Sequence, residues 1–173
     1  MKQQVIFIHW WESKENYKDF EDYLEKLEYK PFEEKKKKWK TTLSQDLWNE
    51  FQLFDPLMPN KGFADYNHWK IIFEKTFKYL NDNVIIIGHS LWWTFLTKYL
   101  NENIFPVKIS KIIFISSSFK DSKQEKLWNF NFDTNLKNLK KYEKDITFFH
   151  SKDDEVVPFE DLMDYKKIFP NSK

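Results

Sequence analysis

Cysteine and arginine are missing from this sequence altogether, and alanine occurs once, at Ala64. Without cysteine the chain has no disulfide, no thiolate nucleophile and no cysteine-ligated zinc or iron–sulfur site, and this composition is typical of a reducing compartment. We therefore expect a cytoplasmic protein. No apolar run reaches the roughly 20 residues that cross a bilayer, and the N-terminal VIFIHWW is too short for a secretion signal, so we expect no membrane association.

An excess of charge of one sign is also lacking, because 28 lysines stand against 27 acidic residues for a net charge of +1. Balanced charge gives no general attraction to nucleic acid or to anionic membranes. The lysine run Lys35–Lys38 is typical of a solvated helix start, with phosphate binding as the alternative. Nucleic-acid binding has little support, since the aromatic residues follow helix faces. We expect no nucleic-acid partner, no cofactor and no metal, and the oligomeric state stays open.

Glycine is the third scarcity. Only Gly62 and Gly88 occur, where average usage of about 7% would give roughly twelve. Tryptophan, by contrast, occurs eight times. The lack of arginine and the abundance of lysine, asparagine, isoleucine and phenylalanine indicate a very AT-rich gene, in which UGG, the ordinary tryptophan codon, should be rare. Missing glycine and surplus tryptophan can therefore share one cause.

Short apolar runs alternate with segments of helical periodicity along the chain. The predicted strands are Val5–Ile8, Phe51–Phe54, Val84–Ile87, Lys111–Ile115 and Ile146–Phe149, and the predicted helices cover about 15–29, 39–47, 65–79, 91–100 and 159–168. The polar segment Ser118–Lys144 has no clear pattern and is predicted to hold a short helix and a loop over the sheet edge. The alternation predicts one domain over residues 1–173, a three-layer α/β/α fold with a mainly parallel sheet of about five strands.

The run VIIIGHSL places Ser90 directly after a predicted strand and before a predicted helix. Ligands of open α/β sheets bind at the carboxyl ends of the strands. Serine in the order Gly88-His89-Ser90 is the first half of a nucleophile elbow, a strained turn that lifts the hydroxyl out of the sheet while the N–H of the next residue, Leu91, helps to form an oxyanion hole. Ser90 is therefore the candidate nucleophile. The alternative is a serine that only caps the helix.

Two aspartates follow the last predicted strand, in FFHSKDDEVVPFEDL. A carboxylate at this place can orient a histidine and stabilise its imidazolium, as a catalytic triad requires. Asp154 is the candidate acid because of its spacing to the V-V-P turn. The alternative is that Asp153 and Asp154 only end the strand with turn chemistry.

The segments FIHWWES, DPLMPN, IIIGHSL and HSKDDEVVP, in that order and with a tryptophan-bearing helix among them, resemble the small α/β-hydrolases related to retinoblastoma-binding protein 9. The resemblance spans nearly the whole chain. It implies a compact serine hydrolase without a large lid, which acts on a small ester, thioester or amide through an acyl-enzyme. It also implies that Ser90 is the nucleophile and Asp154 the triad acid, and that the backbone N–H groups of Leu91 and of the turn after His9, at Trp10 and Trp11, form the oxyanion hole.

The triad histidine of this family is missing from the chain. In the family it follows one more strand after the helix that here ends near Phe169, whereas this chain stops at Lys173. We therefore expect the domain to lack its last strand and helix and to be inactive as it stands, since serine without a base is a weak nucleophile. The four histidines are His9, His68, His89 and His150. All are interpreted as structural, with His150 the least implausible substitute. The alternative function is a non-catalytic binding module of the same fold.

Tryptophan stands where this family has glycine: GHSLGG reads GHSLWW here, and the first turn, usually HGG, reads HWW. Two L-W-N stretches are typical of helix ends, where glycine is the usual C′ residue. The six tryptophans at such positions are Trp10, Trp11, Trp48, Trp92, Trp93 and Trp128. One hypothesis is that the organism reads UGA as glycine and that the sequence was translated with the code in which UGA means tryptophan. The alternative is native tryptophans that fill an altered site. If the elbow survives, we expect displaced helices or a filled acyl site at Trp92 and Trp93, and two indoles buried without distortion of the turn would tell against glycine. The other two, Trp39 and Trp69, lie on helical stripes.

Overall fold

A computed structural model describes residues 2–8, 13–14, 16–28, 39–47, 49–60, 62–121 and 127–173. These residues form strands β1 (Gln3–Ile8), β2 (Phe51–Phe54), β3 (Val84–His89), β4 (Ile109–Ile115) and β5 (Ile146–Phe149). They also form helices α1 (Tyr17–Lys26), α2 (Trp39–Leu47), α3 (Tyr66–Lys75), α4 (Leu91–Glu102) and α5 (Phe159–Ile168). Short 3-10 segments cover Phe77–Tyr79, Trp128–Phe130 and Leu139–Asp145.

The strands run parallel in the order β2-β1-β3-β4-β5. The register pairs Ile8 with Gly88, His89 with Ile115, and Ile115 with Phe149, so the carboxyl ends of four neighbouring strands lie at one edge. The direction in which strands are added reverses between β1 and β3, and a crevice opens at such a switch point. The predicted three-layer α/β/α class with a parallel sheet of five strands is confirmed.

Helix α4 packs over the centre of the sheet. Its sequence LWWTFLTKYLNE is apolar on most sides, and its large side chains are buried, namely those of Trp92, Trp93, Phe95, Leu96, Tyr99 and Leu100. Val84 and Ile86 of β3, with Ile112 and Phe114 of β4, complete this core. Burial of each large apolar side chain contributes about 1.5–3 kcal/mol. The same packing fixes the end of β3, which Ser90 follows.

Helix α1 forms in the predicted place but buries none of its residues. Its apolar stripe is largely exposed, with Tyr17, Leu24 and Leu27 at 76%, 48% and 46% of full exposure. The rings of Tyr17 and Phe20 pack on Phe63. The periodicity therefore predicted the helix correctly, but not a buried face.

The segment Ser118–Lys144 differs from the expectation of a short helix and a loop over the sheet edge. Within its described residues, Phe130, Leu136 and Leu139 are fully buried and belong to the core beside α4. Their irregular spacing matches 3-10 turns rather than one helix. The lysine run at 35–38 lies outside the described residues. In the described ranges, no helix is long and apolar enough to span a bilayer.

Candidate active site

Ser90 occupies a strained turn between β3 and α4. Its backbone has φ 58° and ψ −136°, a sparsely populated conformation for a residue with a side chain. Its N–H donates to the carbonyl of Ile115 at 3.0 Å, and its carbonyl accepts from the N–H of Trp93 at 2.9 Å. The Ser90 side chain makes no capping hydrogen bond to the helix, so the alternative of a simple N-cap is not favoured. A nucleophile elbow requires a strained turn of this kind between a strand and a helix.

Gly88 allows α4 to approach β3 closely. A Cβ at this position would lie 3.0 Å from Leu96 Cδ1, 3.1 Å from Trp93 Cε3 and 3.3 Å from Trp93 Cα. Such distances leave no room for a side chain, because the helix backbone itself is in contact. Glycine two residues before Ser90 is therefore required by packing rather than by an unusual φ.

The expected oxyanion hole is described in part. Leu91 is the first residue of α4, and the first N–H groups of a helix have no partner within the helix. The Leu91 N–H thus lies one residue after Ser90, as an oxyanion donor requires. His9, Trp10 and Trp11 lie outside the described residues.

Asp154 lies beyond the end of β5 and accepts several hydrogen bonds. Its Oδ1 receives the N–H groups of Val156 at 3.0 Å and Val157 at 2.9 Å. Partial burial raises the pKa of Asp154, but these two backbone bonds, with a bond from the Ser116 side chain and the proximity of His150, outweigh it and leave the pKa below its ordinary value. The carboxylate is therefore ionised at neutral pH, as the acid of a triad must be.

The neighbouring Asp153 differs from Asp154 in its surroundings. It is exposed and accepts a hydrogen bond from Ser151 within its own turn. Asp154 is half-buried and reaches the end of the adjacent strand β4 through Ser116. Turn chemistry describes both aspartates, because Asp154 Oδ1 accepts from the N–H groups two and three residues on, but only Asp154 also bonds Ser116 at the end of the neighbouring strand.

Ser116 was not among the residues singled out from the sequence. It follows β4 with φ 47° and donates its N–H to the carbonyl of Phe149 at 2.9 Å. Its side chain bonds Asp154, so it positions the carboxylate between β3 and β5. The signal was the polar run Ser116-Ser117-Ser118 directly after an apolar strand, at the edge where ligands bind.

The strands that precede Ser90 and Asp154, β3 and β5, are separated by one strand. Strand β4 separates β3 from β5, so the strand ends are about 10 Å apart. An imidazole that makes hydrogen bonds of about 2.8 Å on both sides spans roughly 8 Å. A triad in which a histidine bridges a serine and an aspartate needs a separation of about this length between the serine and aspartate oxygens.

The described histidines make other contacts. His150 Nε2 donates to the carbonyl of Val157 at 2.9 Å. His68 is exposed and pairs with Asp65 at 3.7 Å. His89 Nδ1 lies 3.4 Å from Lys40 Nζ. Each of these contacts is of a kind that a structural histidine makes. Among the described residues, no group of three or more His, Cys, Asp or Glu side chains could hold a metal ion.

Two buried indoles follow the Ser90 turn. Trp92 stacks on Trp69 with ring centroids 3.7 Å apart, and Trp93 donates its indole N–H to Tyr165 Oη at 2.9 Å. The turn keeps its strained conformation, and α4 keeps its tight contact with Gly88. The expected displacement of helices is therefore not seen, and two buried indoles beside an undistorted turn tell against glycine at positions 92 and 93 by the criterion stated above. The crowding lies between rings, because the centroids of Trp93 and Phe114 are 2.9 Å apart.

Comparison with known proteins identifies the fold. No protein-family model matches the sequence, and neither does any curated protein. The chain is similar in structure to the ydeN gene product of B. subtilis, with a TM-score of 0.69 at 18% identity over 99% of this chain and 83% of that one. A carboxylesterase of the thaumarchaeon Nitrososphaera gargenis gives 0.61 at 14% identity over 99% and 80%. A putative YdeN-like hydrolase of Pectobacterium atrosepticum gives 0.58 at 11% identity over 98% and 74%. The fold is that of the α/β-hydrolases.

Proposed function

We propose that this protein is a serine hydrolase of the kind related to retinoblastoma-binding protein 9, acting in the cytoplasm on a small ester, thioester or amide. The observation that carries the proposal is Ser90, held at φ 58° between β3 and α4. Strain of about 1–3 kcal/mol persists in a fold only where surrounding structure enforces it, and it concentrates at functional sites. Similar structures include an esterase domain, a carboxylesterase and a putative lipase, and this supports the same chemistry.

The proposed reaction proceeds through an acyl-enzyme. Ser90 Oγ attacks the carbonyl carbon of the substrate while its proton passes to a histidine. The developing oxyanion accepts hydrogen bonds from the Leu91 N–H and from the turn after β1. Asp154 holds the imidazolium, which then protonates the leaving alcohol, thiol or amine. Water, activated by the same histidine, hydrolyses the ester on Ser90 and restores the hydroxyl.

The histidine is proposed to come from a further strand beside β5. Lys173 donates its N–H to the carbonyl of Ile146 at 3.0 Å and accepts from the N–H of Phe148 at 3.0 Å. One residue bonded to positions i−1 and i+1 of its neighbour is the pattern of a parallel ladder. A strand that continues this ladder runs toward the carboxyl edge and ends beside Asp154.

A non-catalytic binding module is the second candidate. The observation in its favour is the pair Trp92 and Trp93, which fills the interior directly beyond the Ser90 turn with two indoles that are at most 1% exposed. A module of this kind keeps the fold and uses its surface for a partner. It requires neither an oxyanion hole nor a base.

The test is labelling and hydrolysis by the full product of the gene. A serine-directed fluorophosphonate should label the protein, and a short-chain p-nitrophenyl ester should be hydrolysed. Ser90→Ala should abolish both. Ser117→Ala is the matched control, because Ser117 is also buried and its Oγ has no hydrogen-bond partner among the described residues. A folded protein that shows neither labelling nor hydrolysis refutes the hydrolase proposal and favours the binding module.

A further inference from the structure

Trp93 leaves the Ser90 turn undistorted and donates its indole N–H to Tyr165, but its ring overlaps that of Phe114. Its ring centroid lies 2.9 Å from that of Phe114, with the planes tilted by 68°, whereas aromatic pairs ordinarily lie about 4.5–7 Å apart. The helix cannot relieve this contact by moving outward without losing the packing at Gly88, where the Trp93 Cα itself lies 3.3 Å from the Cβ position. The backbone at position 93 therefore sits at a distance from the sheet that suits a residue without a side chain.

Trp92 and Trp128 show a different defect. The indole N–H of each is buried and has no hydrogen-bond partner among the described residues, although buried tryptophan N–H groups ordinarily find one. Trp69 is the internal comparison, since its N–H donates to the carbonyl of Pro59 at 3.0 Å. Burial alone thus does not explain the two unpaired groups.

Trp128 has a second defect in its backbone. Its φ is 45°, in the left-handed region that glycine adopts freely and that is an outlier for a bulky residue. The sequence predicted a positive φ at this position on the assumption of a preceding helix end. Residue 128 instead begins a 3-10 segment, so the positive φ belongs to a tight turn. Glycine remains the residue that such a turn favours.

We infer that the native protein carries glycine at positions 92, 93 and 128, encoded by UGA in a gene that reads this codon as glycine. Glycine removes the ring overlap at 93, the unpaired N–H groups at 92 and 128, and the strain at φ 45° in one step. The composition agrees, with two glycines and eight tryptophans in 173 residues. Trp10, Trp11 and Trp48 join the set on sequence pattern alone, since they lie outside the described residues. The inference does not depend on hydrolase activity.

The decisive experiment reads the gene and the native protein together. We expect UGA at codons 92, 93 and 128, and we expect UGG at codons 39 and 69, the internal controls. Peptide mass spectrometry of the protein from its own cells should then show glycine at the three positions and tryptophan at the two controls. UGG codons at the three positions overturn the inference, and so does tryptophan in the native peptides whatever the codon. Either result leaves the test of Ser90 labelling unaffected.

A stability measurement tests the structural reasoning separately. The chain is compared with Trp128→Gly, which removes the strained φ of 45°, and with Trp69→Gly, which removes a fully buried and hydrogen-bonded indole. We expect Trp128→Gly to melt at a higher temperature than the parent chain, and Trp69→Gly to melt lower. Trp128→Gly that melts as low as Trp69→Gly contradicts the inference for position 128, because that indole would then contribute like an ordinary core residue.

Discussion

Ser90→Gly should make the protein more stable while removing its candidate nucleophile. The backbone at φ 58° and ψ −136° strains a residue with a Cβ by about 1–3 kcal/mol, and glycine relieves most of this. Glycine costs about 0.5–1 kcal/mol in additional unfolded-state entropy, and at a helix N-cap it is only a few tenths of a kcal/mol worse than serine. The balance is a gain of roughly 1 kcal/mol. For a chain of this size, such a gain raises Tm by roughly 2–4 °C.

Urea and thermal unfolding of three variants test this prediction. Ser90→Ala keeps the Cβ and therefore the strain, so its stability should stay within about 0.5 kcal/mol of the parent. Ser44→Gly is the matched control, because Ser44 is exposed in the ordinary helix α2 and its replacement by glycine should cost about 0.5 kcal/mol. If Ser90→Gly loses as much stability as Ser44→Gly, the turn is not strained and the elbow interpretation is wrong.

Under the proposed mechanism, Asp154→Asn should lower kcat for a p-nitrophenyl ester by about 10⁴-fold, because an amide cannot stabilise the imidazolium; an unchanged kcat would exclude Asp154 as the acid. The pKa of Asp154 is lowered in the folded protein, so its stabilisation is present above the unfolded pKa and is lost as pH falls through the folded pKa; urea midpoints through the acid range should show a shallower loss in the variant. Burial raises the pKa of Asp161, so stability is full below the unfolded pKa and falls as pH rises through the folded pKa. Asp161→Asn, which keeps an acceptor for the Phe119 N–H, should therefore raise the urea midpoint at neutral pH, and a lowered midpoint would contradict this. Gly88→Ala should cost about 1–3 kcal/mol in thermal unfolding, because its Cβ would lie 3.0 Å from Leu96 Cδ1; a neutral result would mean that α4 can move away from β3.

The regular elements were predictable because their apolar residues repeat with a clear period. The bounds of β2, β5, α2 and α5 agree with the sequence prediction, and β3 and α4 extend it by two residues each. Helix α1 shows that periodicity does not predict whether a helix face is buried. Its stripe predicts a helix, but which neighbour covers that stripe is a property of the assembled fold.

The segment after β4 was not predictable for a different reason. Phe130 and Leu139 reach the core from short 3-10 segments and Leu136 from the stretch between them, and segments of this length give no periodic signal. Their burial depends on α4, which lies far away in the sequence. Local pattern therefore could not assign them.

The candidate site also has one part that local sequence predicts and one part that it does not. Ser90 follows from the order strand, Gly-x-Ser and helix, which is a local signal. The difference between Asp153 and Asp154 depends on backbone donors and on Ser116, which come together only in the folded sheet. The hydroxyl of Ser116 carries no distinguishing pattern of its own, so its contact with Asp154 had to come from the structure.

The candidate site takes Ser90, Ser116 and Asp154 from the ends of three strands, β3, β4 and β5. Parallel strands cannot be joined by a tight turn, so each pair forms only after a long crossover segment has brought the two strands together. Folds rich in such contacts between distant residues form slowly. The N–H of Ser90 bonds β4, and the N–H of Ser116 bonds β5, so the serine turn reaches its final geometry only when these strands are in register. The fraction of chains that a serine-directed label modifies should therefore report how many chains have completed folding. A newly synthesised chain should become reactive only at the last step, and Ser90 in partly folded chains should not react.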